Sequence, residues 1–205
     1  MALPVELISL RIGLIGYGEV GRILAEGLRA QGLRVCAYDS KLGITVNTQV
    51  MREHAHGLSV VLLDSHAEVC KRSDLLICAV TASQTLAAAH ACAPHMLAQA
   101  FFLDVNSASP GTKLAAAALI DKAGARYVEA AVMTSVPPHG MQVPMLLGGS
   151  HAAALLPVLN SLGFKTKIAS DKLGLASATK MSRSIMVKGM EAMVIESLTT
   201  ARYYG

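Results

Sequence analysis

Ile12-Gly-Leu-Ile-Gly16-Tyr-Gly18-Glu-Val-Gly21-Arg-Ile-Leu-Ala-Glu-Gly-Leu28 is the stretch that decides how this chain folds. Arg11–Ile15 is a short apolar run, the pattern of a strand buried on both faces. A helical pattern follows over Val20–Gln31. Between them stands GxGxxG, in which the first glycine allows a tight turn. The second lets another backbone or a ligand approach, and the third lets helix pack closely on strand.

Outward from this turn the strand–helix alternation repeats. Further strands are expected at Arg34–Tyr38, Val60–Leu63, Leu75–Val80, Phe101–Val105 and Tyr127–Val132. Helices are expected at Ser65–Lys71, opened by the capping box Ser65-His-Ala-Glu68, and at Gln84–Cys92 and Thr112–Ala123. Beyond Val132 a Pro- and Gly-containing loop, Thr134–Pro144, interrupts the rhythm. A strand at Met145–Gly149, a helix at Ala152–Leu162 and a strand at Lys165–Ala169 come next. From Leu173 to about Tyr203 no proline breaks a long helical pattern. The predicted fold is α/β, a doubly wound parallel Rossmann sheet over residues 1–169. Residues 170–205 are expected to form a long helix.

In this context the turn is a dinucleotide site. Gly16, Tyr17, Gly18, Glu19, Val20 and Gly21 supply free N–H groups and the positive end of a helix dipole to a pyrophosphate. Asp39 ends the second strand, placed to accept both adenosine ribose hydroxyls and to repel a 2′-phosphate. That favours NAD. Lys41 is able to offset the charge, so NADP is the alternative. Thr81, after the fourth strand, either contacts the cofactor ribose or simply starts the helix at Gln84.

Composition narrows the partners. The chain has 205 residues, 53% of them hydrophobic and 4% aromatic, with a net charge of +4. The excess charge lies after residue 164, where seven basic residues face Asp171, Glu191 and Glu196. There is no dense basic run with interleaved aromatics, so nucleic acid is not expected; a small anionic substrate is. The uncharged stretches Leu75–Leu103 and Ala130–Phe164 carry His, Ser, Thr, Gln or Pro throughout, unlike a membrane span. Met1–Leu10 lacks a basic n-region, so a soluble, cytoplasmic protein is expected. Cys36, Cys70, Cys78 and Cys92 lack metal-ligand spacing, and the seven histidines form no triad or metal pattern.

Three later segments, in order, complete a resemblance. They are Asp104-Val-Asn-Ser-Ala-Ser-Pro110, then Glu129-Ala-Ala-Val132 with its loop to Gly148-Gly149, then Gly174-Leu-Ala-Ser-Ala-Thr-Lys180-Met-Ser-Arg-Ser184. With the Gly16 turn they resemble the 3-hydroxyacid dehydrogenase family, which contains 3-hydroxyisobutyrate and 6-phosphogluconate dehydrogenases. The departures, Met133-Thr-Ser135 before Val-Pro-Pro and Ser184 in place of an asparagine, are similar to a phosphogluconate-dehydrogenase-like branch. The resemblance implies that Lys180 is the catalytic lysine and that Asn106, Ser107, Ser135 and Ser184 hold substrate. Arg183 or Lys188 would add charge. It also implies a helical second domain that this chain leaves truncated.

Geometry alone places Lys180, Ser184 and Glu191 within about 40° of one another on the last helix. Lys180 then faces either a cleft walled by apolar surface or solvent. In the cleft it acts as general acid/base for hydride transfer between NAD(P) and a small hydroxy acid. Two other functions remain open: an imine- or ketone-reducing relative, and a non-catalytic dinucleotide-binding protein acting through partners. The long helix has apolar residues around most of its circumference, which predicts a homodimer built on it.

Overall fold

The computed structural model describes residues 7, 9–42 and 48–205; Met1–Leu10 lies mostly outside them. Eight strands form one sheet in the order β3-β2-β1-β4-β5-β6-β7-β8. They are β1 Arg11–Ile15, β2 Arg34–Tyr38, β3 Val61–Leu62, β4 Leu75–Cys78, β5 Phe101–Asp104, β6 Arg126–Val132, β7 Pro144–Gly148 and β8 Lys165–Ser170. The helices are α1 Glu19–Ala30, α2 Thr48–Gly57, α3 His66–Lys71, α4 Thr85–Cys92, α5 Pro110–Lys122, α6 Ala152–Ser161 and α7 Leu175–Tyr204. Short single turns lie between them.

The strands from β1 to β6 pair in parallel, as the doubly wound reading requires. Successive strand residues feed opposite faces. Leu75 and Ile77 enter one core with Leu14, Leu103 and Val128, whereas Leu76 and Cys78 enter the other with Phe102 and Tyr127. The central strands β1, β4, β5 and β6 are therefore covered on both sides, which explains why they read as near-continuous apolar runs.

The structure departs from a wholly parallel sheet at its far edge. β7 runs antiparallel to β6, with Val132 opposite Met145 and Glu129 opposite Gly148. A parallel return needs a crossover of a dozen or more residues, usually helical. Residues 133–143 offer only the turns Val136–His139 and Gly140–Gln142, so the chain folds straight back. β8 then runs parallel to β7, with α6 as the crossover.

Helix starts also moved. α5 begins at Pro110 rather than Thr112, because the Ser109 hydroxyl accepts the Thr112 N–H at 3.2 Å and proline suits the first turn. The capping box of α3 forms as expected on one side, with Ser65 Oγ accepting the Glu68 N–H at 3.3 Å. Its Glu68 carboxylate reaches back one residue further, to the Asp64 N–H.

Candidate active site

β1 delivers Gly16 at the carboxyl end of the sheet, between β2 and β4, where the strand order reverses. Its φ is +93°, and an added Cβ would lie 2.4 Å from the Ala79 carbonyl oxygen, so only glycine fits. At Gly21 a Cβ would meet the Gly16 carbonyl oxygen at 2.1 Å. Gly18 differs: nothing lies within 4 Å of the position of its Cβ, which points into open space. Gly18 also caps α1, and no side chain bonds the helix start. The N–H groups of the first turn, including those of Glu19 and Val20, are thus left for a ligand. A turn with a clear approach and uncapped N–H groups fits a dinucleotide pyrophosphate.

The side chains around this turn brace it. Tyr17 is fully buried, its hydroxyl 3.0 Å from His54 Nδ1, whose Nε2 lies 2.9 Å from Glu26. Tyr17 can meet a cofactor only through its backbone. Asp39 accepts the Tyr17 N–H at 2.7 Å and the Lys41 N–H at 2.9 Å, one on each oxygen. A carboxylate has about four lone-pair sites, so room for ribose hydroxyls remains. Asp39, Lys41 and the exposed Thr81 share the lining of a cleft of about 390 Å³ with Gly16 and Gly18.

A second cleft, of about 310 Å³, contains Asn106, Ser107, Lys180, Ser184 and Lys188. The two meet where Asn106 Oδ1 accepts the Val80 N–H at 2.7 Å. Lys180 Nζ donates to Ser107 Oγ at 2.7 Å. Burial, first, and the positive charge of Lys113, second, push the Lys180 ammonium below the ordinary lysine range.

The structure thus brings together four of the five residues expected around a substrate. Asn106 is 4% exposed, and its amide is engaged with the end of β4, through Val80 and Cys78 Sγ. Ser135 is not among the residues lining the cleft. It is exposed just before the Val136–His139 turn, in the loop that reverses β6 into β7. Arg183 donates to the Met133 carbonyl at 2.9 Å, tying α7 to the end of β6.

Two buried carboxylates were missed. Glu129 receives the Gly174 and Ser177 N–H groups, both at 2.6 Å, and so caps the helix that carries Lys180. Asp104 receives Lys113 Nζ at 2.8 Å, the Tyr127 hydroxyl at 2.6 Å and the Asn106 N–H at 2.9 Å.

A sequence profile of the NAD-binding domain of 6-phosphogluconate dehydrogenase matches residues 11–169. The chain belongs to that family. At this level it is a dinucleotide-dependent oxidoreductase domain. A conserved hypothetical protein of Sinorhizobium meliloti 1021 is 35% identical, with a TM-score of 0.86 over 98% of this chain and 68% of that one. A conserved protein described as structurally similar to 3-hydroxyacid dehydrogenases is 33% identical. Its TM-score is 0.79 over 96% of this chain and 71% of its own. The 3-hydroxyisobutyrate dehydrogenase of Mycobacterium tuberculosis, solved with L-serine, shares the fold at 18% identity and a TM-score of 0.82. That match covers 96% of this chain and 66% of that one. Among the described residues, no helix is long and apolar enough to cross a membrane.

Proposed function

We propose that this chain is an NAD-dependent oxidoreductase that moves a hydride between the nicotinamide and a small hydroxy acid, with Lys180 as general acid/base. The observation that carries this is the partly buried Lys180 ammonium, 2.7 Å from Ser107 Oγ, in the cleft that continues the dinucleotide site. Bound NAD⁺ supplies the hydride acceptor. Neutral Lys180 takes the proton of the substrate hydroxyl, and in the reverse direction its ammonium returns that proton to a carbonyl. Ser107 and Ser184 orient the hydroxyl, and Lys188 favours an anionic substrate. The Asp39 charge favours NAD over NADP.

The test begins with a screen of small hydroxy acids in the presence of NAD⁺. Lys180→Ala should lower turnover about 10²–10⁴-fold, with cofactor affinity within about twofold. Oxidation needs the neutral amine, so the wild-type rate should rise with pH through a midpoint below 10.5, and the variant should lose that limb. Near-normal turnover in Lys180→Ala would remove the lysine from the mechanism. NADH binding without turnover of any hydroxy acid would leave a dinucleotide-binding protein instead.

The second copy of the chain completes this reading. In α7 only Ala176 and Ser177 are buried, while Ile185, Met186, Met193, Val194, Ile195 and Leu198 are all more than half exposed. Such a face is an association surface, and a homodimer places Lys180 near its seam. Light scattering should find a dimer at micromolar concentration; a stable monomer there rules this assembly out.

A further inference from the structure

Asp104, at the end of β5, and Glu129, in the middle of β6, are register partners on adjacent parallel strands, and both are fully buried. Glu129 fixes the start of the Lys180 helix. Asp104 fixes the turn that carries Ser107: it binds the Asn106 N–H, and Lys113 Nζ bridges its carboxylate and its own carbonyl oxygen, the latter at 2.9 Å. The Tyr127 hydroxyl takes the remaining carboxylate oxygen.

The surroundings make Lys113 unusual. It lies on the inner stripe of α5 with Ala116, Ala117 and Ile120, and is 0% exposed. A buried ion pair returns little more than its own desolvation, and apolar residues of similar volume commonly replace one without loss. Stability alone therefore gives no reason for a lysine here. The charges facing Lys180 do. Lys113 of α5 is the charge that acts on it, and Lys188 of its own helix shares its cleft. Arg183 is turned to the Met133 carbonyl, Asp104 is engaged by Lys113 and Tyr127, Glu129 by the helix start, and Glu191 lies about three turns further along α7. No carboxylate lines the Lys180 cleft, and no ion pair among the described residues includes Lys180.

We propose that Asp104, Lys113 and Tyr127 form a buried charged support that both holds Ser107 against Lys180 and sets the electrostatic field in which Lys180 gains or loses its proton. Lys113 is the positioning residue of this support. It touches neither substrate nor cofactor, and acts through its own charge and through the turn it pins. The inference rests on Lys180 being the acid/base group, and the lowered proton affinity of Lys180, caused by burial and then by Lys113, agrees with it.

The experiment reads Lys180 without any substrate. Accessible lysines of the full chain are reductively methylated with ¹³C and titrated by NMR, with Lys180→Arg assigning the signal. Lys113→Met removes the positive charge and leaves Asp104 unneutralised, so the Lys180 midpoint should rise, on the order of one pH unit. Asp104→Asn keeps the shape and leaves Lys113 unneutralised, so the midpoint should fall by a similar amount. Opposed shifts establish the support, because mere loosening of the site would move both variants the same way. Should Lys113→Met fail to fold, the near-isosteric Asp104→Asn still carries the sign. A midpoint that stays put in Asp104→Asn, or shifts of one sign in both variants, overturns the inference. Opposed shifts in a protein that oxidises no hydroxy acid would instead count against the proposed reaction alone.

Discussion

A Gly18→Leu variant should fold as the wild type does and lose both NADH and NADPH. Gly18 has φ −73°, open to any residue, and no atom lies within 4 Å of the position of its Cβ. The added side chain therefore strains nothing in the protein and fills only the approach to the α1 N-terminus. A pyrophosphate there accepts charge-assisted hydrogen bonds of about 1.5–3 kcal/mol each. Losing two costs about 3–6 kcal/mol, or roughly a 10²–10⁴-fold weaker affinity. Gly21→Ala would be a poor substitute, since its Cβ would press on the Gly16 carbonyl and disturb the turn itself. Calorimetric titration beside a thermal melt separates the two effects. Unchanged affinity in a well-folded Gly18→Leu protein would move the pyrophosphate elsewhere. In the same titrations the wild type should bind NADH more tightly than NADPH, and the reverse order would assign the ribose end to Lys41.

Glu129→Ala should be the most destabilising single change near the site. It strips the acceptor from two buried N–H groups and leaves a void between β6 and the start of α7. Charge-assisted bonds and an unfilled cavity together amount to about 3–5 kcal/mol. Glu129→Gln keeps the shape and one acceptor oxygen, so about half of that is expected. Urea unfolding measures both. A loss below about 1 kcal/mol in Glu129→Ala would mean that α7 is held to the sheet by other contacts. Space is tight as well: a Cβ on Gly148 would come within 2.9 Å of the Glu129 carboxylate, so the glycine opposite is part of the same fitting.

Much of this was legible in the chain because buried parallel strands and a glycine turn leave dense local signals. The six parallel strands and the dinucleotide turn needed only periodicity and position. Residues 48–57 escaped because α2 is a polar surface helix, with only Met51 and Ala55 buried, and gives little apolar rhythm. The reversal at β7 depends on the lack of a crossover helix, which no single residue announces. Glu129 did leave a trace: one acid in the apolar run Tyr127–Val132, buried on both faces, must find partners inside. Lys113 left a fainter one, at the i position of an i, i+3, i+4, i+7 stripe whose other members are Ala116, Ala117 and Ile120. Residue type argued for solvent, and tertiary pairing with Asp104 overruled it.

The anchoring of α7 at one end makes it a lever. It is held at Glu129, beneath Gly174 and Ser177, and again where Arg183 bonds the Met133 carbonyl, all within the first third of a helix about 45 Å long. A tilt of about 5° about that end carries Tyr204 about 3–4 Å, yet moves Lys180, which lies within the anchored turns, by less than about 1 Å. Whatever docks on the distal half can therefore swing it through several ångströms, while the amine stays within hydrogen-bonding range of Ser107. The arm is long where it meets other surfaces and short where it does chemistry.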